Sequence, residues 1–328
     1  MKRRDVLALG LSGLSARALV PSLSFAQAKY PDRPIRLVVP FPPGGVYDAV
    51  ARPWADRMRS HLGSVVVENQ AGAGGSLGAA AVARAQPDGY TLLAGGGGPM
   101  VVTPVATTRA PYDPIRDFEP IAILVVSALT LAVHPAQPFQ SLEDVVDAAK
   151  KNPGRLSYGS AGVGTINHLT GELLKSLTAT EIVHVPYRGA GPALTDLIAG
   201  QIPTAMANIT GQVLELHRSG KLRMLAVTAP ARIAAASDIP TAVEAGLPGM
   251  VAQNFVGLFA PRGTPAAIIE QLARATRAAM DERDFRELLS AASLEAHVDS
   301  SPAKARQFLE DEFARWTPVI KAIGLKVE

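Results

Sequence analysis

A short apolar segment that runs through prolines and glycines into a helical pattern constrains this chain most. Residues 35–40 are mainly β-branched or aliphatic, which predicts a buried strand that ends at proline. Residues 41–48 then read Phe-Pro-Pro-Gly-Gly-Val-Tyr-Asp, and Val50, Trp54 and Met58 recur at helical spacing. The first N–H groups of such a helix are unpaired and lie at the positive end of its dipole. The segment therefore predicts an anion site built from backbone.

Two further strands in the first third are also followed by glycine-rich turns. The strands are predicted at 65–68 and 90–94, and the turns at 72–78 and 95–98. Strands that alternate with helices predict an α/β fold with a mostly parallel sheet, whose ligands lie beyond the carboxyl ends of the strands. The turn at 95–98 has no side chains that would obstruct a ligand.

The apolar run 121–133 predicts a strand that crosses into a second lobe, where the pattern repeats. A strand at 156–158 leads through the glycine-rich turn 159–165 into a helix that ends near residue 177. Further strands are predicted at 182–185, 203–208 and 222–228, and further helices at 192–199, 265–280, 283–292 and 302–323. The late helices are expected to return to the first lobe. The predicted architecture is two α/β lobes joined by two crossings around a central cleft.

The first 28 residues predict an export signal. Residues 2–4 are basic, residues 6–20 are apolar, and Ala26-Gln27-Ala28 is a small-x-small cleavage site before Lys29. The arginine pair is typical of twin-arginine signals, although the Sec route stays open. The apolar run is shorter than the roughly 20 residues that span a bilayer, which disfavours a membrane anchor. We therefore expect a periplasmic protein with cleavage after Ala28.

Charge and cysteine content exclude several classes of protein. Residues 1–28 carry the whole formal charge of +3, and the remaining residues include 28 basic and 28 acidic side chains. A nucleic-acid partner therefore has no global electrostatic support. The chain contains no cysteine, so disulfides and thiolate metal sites are excluded.

Two glycine-rich motifs resemble enzyme or nucleotide sites only in part. The dinucleotide fingerprint needs glycine at its sixth position, where residues 72–78 have Leu77. The hydrolase nucleophile elbow needs glycine two residues before the serine, and Tyr158 precedes Ser160 at that distance. Both patterns therefore favour turns that pack or bind an anion.

Two acidic residues near the turns could serve a metal site or act as a base, but each also has a purely structural explanation. His168 and Glu172 lie four apart on one predicted helix, but no second histidine completes a zinc signature. Asp48 lies in a first helical turn, where an acid usually caps the helix rather than acting as a base. We predict no metal site and no cofactor.

Motifs along nearly the whole chain after residue 29 resemble one known family. They lie, in the family's order, at residues 30–35, 41–45 with 48, 67–69 with 72–75, 87–92, 112–114, 184–189, 240–241 with 244–246, and 260–265. The chain is similar to the Bug family, the periplasmic receptors of tripartite tricarboxylate transporters.

The resemblance implies a type II periplasmic-binding-protein fold. Lobe 1 would comprise residues 29–130 and 255–328, and lobe 2 would comprise residues 131–254. It also implies that two turns grip a carboxylate through main-chain donors and water. The ligand-binding residues that the resemblance carries over are Gly44, Gly45, Asp48, Ser160, Gly162, Gly164 and Thr165. We predict that Phe41, Pro43, Tyr47, Ala161, His168, Tyr187 and Asn208 bind the ligand with them.

Three departures from the family bear on the ligand. Tyr47 stands where the family usually has a small hydroxyl residue, residues 95–98 lack polar groups, and Asn254-Phe255 replaces a frequent tryptophan. Tyr47, at the mouth of the pocket, favours an aromatic or compact acid. A dicarboxylate, an amino acid and an aromatic acid all remain open.

The expected function is capture of a small carboxylate by lobe closure, followed by delivery to the membrane subunits of a tripartite transporter. The protein would be a monomer and not an enzyme. Two alternatives stay open: an exported enzyme acting on a carboxylate through Ser160 or Asp48 with His168, and a receptor that feeds a sensor kinase.

Overall fold

The computed structural model describes residues 30–297 and 299–327, so the predicted export signal and its cleavage site lie outside the described residues. The strands are β1 (Ile35–Val39), β2 (Val65–Asn69), β3 (Thr91–Gly96), β4 (Phe118–Val133), β5 (Ser157–Ser160), β6 (Val183–Pro186), β7 (Thr204–Asn208), β8 (Arg223–Val227), β9 (Gln253–Pro261) and β10 (Glu295–Ala296). The helices are α1 (Val46–His61), α2 (Ser76–Ala83), α3 (Thr103–Ala106), α4 (Leu142–Lys151), α5 (Ile166–Thr178), α6 (Ala190–Ile198), α7 (Gly211–Arg218), α8 (Ala266–Asp281), α9 (Arg283–Ala291) and α10 (Pro302–Ala322).

The long strand β4 connects the two lobes. Its 16 residues are almost all buried, because both of its faces are covered. The first part of β4 pairs with β9 and β10, and its last part pairs with β7 and β8. The predicted crossing strand is therefore confirmed, and it begins at Phe118, before the expected start.

Each lobe contains three parallel strands next to this connecting strand. In the first lobe β1 lies between β2 and β3, and in the second lobe β5 lies between β6 and β7. The strand β9, which the sequence analysis missed, lies between β3 and β4 and is antiparallel to both. It brings the chain back from β8 to the first sheet, which makes the second crossing. The predicted two-lobed α/β fold is confirmed.

The late helices pack on the first lobe, as expected. Side chains of α8 and α9 share a buried core with α1 and β1. Within it Trp54 is fully buried, and its indole N–H donates to Thr276 Oγ1 at 3.3 Å. Burial of each such large side chain stabilises the fold by roughly 1.5–3 kcal/mol. This core holds the start of α1 in place.

The glycines after the third strand have a packing role. Gly95 and Gly96 belong to β3 and are buried, so they do not form an open turn beside a ligand. A Cβ atom on Gly95 would lie 2.8 Å from the ring of Phe259, and one on Gly96 would lie 2.0 Å from the carbonyl oxygen of Phe255. These glycines therefore let β9 approach β3.

The division into lobes at residues 130 and 254 stays a prediction. β9 begins at Gln253, two residues before the expected boundary, and pairs with β4 from there on. In the part of the chain that the structure describes, none of the helices is both long and apolar enough to cross a membrane.

Candidate functional site

A narrow cavity of about 30 Å³ lies between the lobes. Its wall consists of residues 41–43, 45–47, 98, 161, 165–167, 189–191, 208 and 254. Three helices, α1, α5 and α6, begin at this wall. None of these residues is charged. We call this space the cleft cavity.

The start of α1 presents bare backbone to the cleft cavity. Gly44 has φ +88°, a conformation that favours glycine, and Gly45 occupies the N-cap position without a side-chain cap. A Cβ atom on Gly45 would meet no atom within 4 Å. The first N–H groups of α1 therefore remain available to a ligand.

Asp48 is buried behind this turn and does not line the cavity. Its carboxylate accepts hydrogen bonds from the Gly44 N–H at 3.2 Å, from Arg52 Nε at 2.9 Å and from Asn69 Nδ2 at 3.1 Å. Burial alone would raise the pKa of Asp48, but these three donors and the charge of Arg52 hold its pKa below the ordinary value. Asp48 is thus an ionised brace for the turn.

Tyr47 lies in the wall of the cavity and not at its mouth. Its side chain is 5% exposed and stacks on Phe41, with ring centroids 4.6 Å apart. Its hydroxyl lies 3.5 Å from Asn254 Oδ1, and burial raises its pKa. A Cβ atom on Gly96 would lie 2.6 Å from that hydroxyl, so Tyr47 fills space that the glycine leaves.

The turn at 159–165 is held by buried hydrogen bonds to two histidines. Ser160 Oγ lies 2.6 Å from His184 Nε2 and accepts the Gly162 N–H at 3.1 Å. The Gly164 N–H donates to His168 Nδ1 at 3.3 Å. Ser160 is 0% exposed and does not line the cavity. The turn is therefore shaped by these residues, and Ser160 is unsuited to attack a ligand.

The two imidazoles are stacked 3.9 Å apart behind that turn. Burial lowers the pKa of His168 to about 4, and burial followed by the proximity of His168 lowers that of His184 to about 3. Glu172 lies 4.0 Å from His168 Nε2 but is paired with Lys175 and accepts from the Tyr158 hydroxyl. Across the described residues, no group of three or more possible metal ligands occurs.

The start of α6 is the part of the site that the sequence analysis missed. The helix was expected from residue 192, but it begins at Ala190, and Gly189–Gly191 line the cavity. No side chain caps α6, whereas Thr165 caps α5 by accepting the His168 N–H at 3.3 Å. The Gly-Ala-Gly sequence was the available signal. On lobe 2, α6 therefore has more free donors than α5.

The structure separates the predicted site residues into three groups. Those that line the cleft cavity are Phe41, Pro43, Gly45, Tyr47, Ala161, Thr165 and Asn208. Gly44 lines an adjoining pocket, and Gly162 and Tyr187 line an opening next to it. Asp48, Ser160, Gly164 and His168 lie behind the wall. Residues not anticipated as ligand-binding include Asn167, Gly189–Gly191 and Asn254.

Comparison with known proteins gives consistent matches. Residues 50–325 match the family model described as tripartite tricarboxylate transporter family receptor. Protein BugT of Bordetella pertussis is 36% identical over 301 residues, 91% of this chain and 92% of that protein.

Solved structures match the fold over the same length. The periplasmic binding protein BugD has a TM-score of 0.86 and 32% identity, covering 90% of this chain and 99% of that one. An R. palustris protein solved with adipate has a TM-score of 0.86 and 34% identity, with 90% and 99% covered. A Rhodopseudomonas palustris protein solved with malate has a TM-score of 0.85 and 34% identity, with 89% and 100% covered.

Proposed function

The chain belongs to the tripartite tricarboxylate transporter receptor family, and from this premise we propose that it captures a small carboxylate in the cleft cavity. Solute-binding receptors of this family act in the periplasm, as the BugD comparison illustrates. We further propose cleavage after Ala28, delivery of the ligand to transporter subunits in the membrane, a monomeric state, and no catalytic turnover.

The observation that carries this proposal is the chemistry of the cavity wall. The helices α1 and α6 begin there without side-chain caps, one on each lobe, and no charged side chain lines the cavity. An anion at a helix N-terminus is stabilised by about 0.3–1 kcal/mol, and by up to about 2 kcal/mol where water is partly excluded. Two such ends suit a carboxylate better than a cation or an apolar ligand.

Contacts between the lobes support closure around the ligand. Thr103 Oγ1 on lobe 1 donates to the Gly164 carbonyl oxygen at 3.1 Å. Gly164 lies in the turn that precedes α5 on lobe 2. A ligand that contacts α1 and α6 at once favours the arrangement in which the lobes meet. The membrane partner would then recognise the closed surface.

The relatives solved with adipate and malate support a carboxylate as the ligand class. Both molecules carry two carboxylates. In this chain the starts of α1 and α6 together suit one carboxylate, and the nature of the ligand's other end depends on the other polar groups of the wall.

A charge placed at either helix start tests the proposal. Gly45→Asp and Gly191→Asp each put a carboxylate where the ligand's carboxylate would lie, and neither position has an atom within 4 Å of a new Cβ. We expect each variant to weaken carboxylate binding at least about tenfold. The new carboxylate competes for the same N–H donors and repels the carboxylate of the ligand. The matched controls Gly45→Ala and Gly191→Ala add the Cβ without the charge and should bind nearly as tightly as the parent chain.

The measurement is isothermal titration calorimetry of protein exported to and purified from the periplasm, after native mass spectrometry has identified any carboxylate that co-purifies. An intact mass that begins at Lys29 would support the proposed cleavage. Unchanged affinity in both aspartate variants would reject the proposed site. Recovery of a chemically altered ligand, lost in His168→Ala, would favour the enzyme alternative.

A further inference from the structure

Two buried asparagines of the cleft cavity each have one amide atom without a hydrogen-bond partner. Asn208 is 7% exposed and Asn254 is 1% exposed, and both line the cavity. Within the described residues, Asn208 Oδ1 and Asn254 Nδ2 have no hydrogen-bond partner. A buried polar group left unpaired destabilises the fold, so we expect a ligand or a water molecule to complete it.

The orientation of Asn208 is fixed through its neighbour Asn167. The Met206 carbonyl oxygen can only accept, so it faces Asn167 Nδ2, which donates to it at 2.9 Å. Asn167 Oδ1 then accepts from Asn208 Nδ2 at 3.3 Å. The remaining atom of Asn208, its Oδ1, is therefore an acceptor that needs a donor.

The orientation of Asn254 is fixed by a backbone donor. The Gly97 N–H can only donate, and it donates to Asn254 Oδ1 at 3.3 Å. Asn254 Nδ2 is therefore a donor that needs an acceptor. One unpaired acceptor on β7 of lobe 2 and one unpaired donor on β9 of lobe 1 belong to the same cavity.

A hydroxyl group is the simplest group with both capacities, because it donates one proton and accepts at its oxygen. A second carboxylate could only accept, so it would leave Asn208 Oδ1 without a donor. An ammonium group could only donate, and no aspartate or glutamate lines the cleft cavity or the adjoining pocket.

We propose that the ligand is a hydroxycarboxylate, whose hydroxyl is held by Asn208 and Asn254 while its carboxylate lies at the helix starts. This inference rests on the proposed function and adds the chemical class of the ligand. Asn208 and Asn254 are thereby assigned as specificity-determining residues.

The test compares carboxylates that differ in one hydroxyl. The probes are butanoate with 3-hydroxybutanoate, benzoate with 4-hydroxybenzoate, and succinate with malate, each titrated by calorimetry into the periplasmic protein. In at least one pair we expect the hydroxylated member to bind about tenfold or more tightly, because its analogue leaves both amides unpaired. Equal affinity within every pair that binds would overturn the inference and would show that water completes the amides.

Variants test whether Asn208 and Asn254 cause the preference for the hydroxylated ligand. Asn208→Leu removes the free acceptor, and Asn254→Asp keeps the oxygen for Gly97 but replaces the free donor. Each should reduce the ratio of affinities within the discriminating pair towards one. The matched control is Ser127→Ala, because Ser127 Oγ is also buried and unpaired but lies outside the cleft cavity. Its ratio should equal that of the parent chain.

The outcomes distinguish this inference from the proposed function. Binding of carboxylates without preference for the hydroxyl would reject the inference alone. Failure of all six probes, together with no carboxylate found by native mass spectrometry, would reject the proposed function as well. An unchanged ratio in either asparagine variant that folds, judged by its melting curve, would also overturn the assignment.

Discussion

The two walls of the cleft cavity present similar backbone but are held in place by opposite kinds of chemistry. On lobe 1 the turn before α1 is braced by an ionised Asp48 that accepts from Arg52, Asn69 and a backbone N–H. On lobe 2 the turn before α5 is held by the neutral rings of His168 and His184.

The difference follows from where each brace lies. Arg52 reaches solvent, with 49% of its side chain exposed, so the charge of Asp48 is balanced at low cost. The imidazoles are enclosed by Tyr158, the Glu172–Lys175 pair and each other, where a net positive charge would be poorly solvated. The same backbone geometry can therefore be sensitive to acid on one lobe and insensitive on the other.

Removal of a histidine brace should have the largest effect. His168→Ala deletes a buried ring and leaves the Gly164 N–H without its acceptor, so we expect a loss of about 3 kcal/mol in unfolding free energy. His168→Asn places an amide oxygen near the position of Nδ1 and should recover part of that loss. Urea unfolding followed by circular dichroism measures both. An equal loss in the two variants would mean that packing alone matters at this position.

Mild acid should have the second-largest effect, by destabilising the histidine-held turn on lobe 2. Because the folded pKa values of His168 and His184 are about 4 and about 3, below the ordinary 6.5, the unfolded chain binds protons there that the folded chain does not. Stability from these groups is therefore complete above about pH 6.5 and declines as the pH falls towards 4. We expect the melting temperature to drop by about 5 °C or more between pH 7 and pH 4.5, and by less in His168→Asn.

Hydrogen exchange locates this acid effect. Once the intrinsic pH dependence of exchange is corrected, residues 159–165 should lose protection between pH 6.5 and pH 4.5, and the Gly44 N–H, which donates to Asp48, should keep it. The pKa of Asp48 is lowered, so its contribution is present throughout that range and is lost only at lower pH. Equal loss in both turns would contradict the comparison.

Neutralising the brace on lobe 1 should have the smallest effect. Asp48→Asn keeps an oxygen for the Gly44 N–H but loses the charge that pairs with Arg52, and we expect a loss of about 1–2 kcal/mol. The matched control is Asp56→Asn on the same helix, whose partner Arg59 is exposed, and it should change stability by less than about 0.5 kcal/mol. Chemical unfolding at pH 7 compares the two, and a larger loss for Asp56→Asn would contradict the assigned brace.

Much of the fold follows from local patterns. The strand–turn–helix unit at 35–61 and the crossing run that became β4 both agree with the structure. Apolar periodicity and helix caps depend only on residues a few positions apart, so both can be recognised in the sequence. The missed strand β9 has no such pattern, because it is buried at every residue after Gln253 and lacks alternation.

The site likewise contains features that local patterns predict and features that depend on contacts between distant segments. The bare turn at Gly44–Gly45 was predictable, since proline and glycine act on their own backbone. The roles of Ser160 and His184, which lie 24 residues apart, became visible only when β5 and β6 paired in parallel and brought their side chains together.

The amino-acid sequence was sufficient to predict the two lobes and their order, and it also predicts a backbone anion site on the first of them. The tertiary structure added the start of α6 and Asn254 to the wall of the cleft cavity, and it fixed the orientation of the Asn208 amide that the sequence had already indicated. The physical reason is that a cleft between lobes is built by segments up to about 200 residues apart. Which of their polar atoms remain unpaired depends on neighbours that no local pattern specifies.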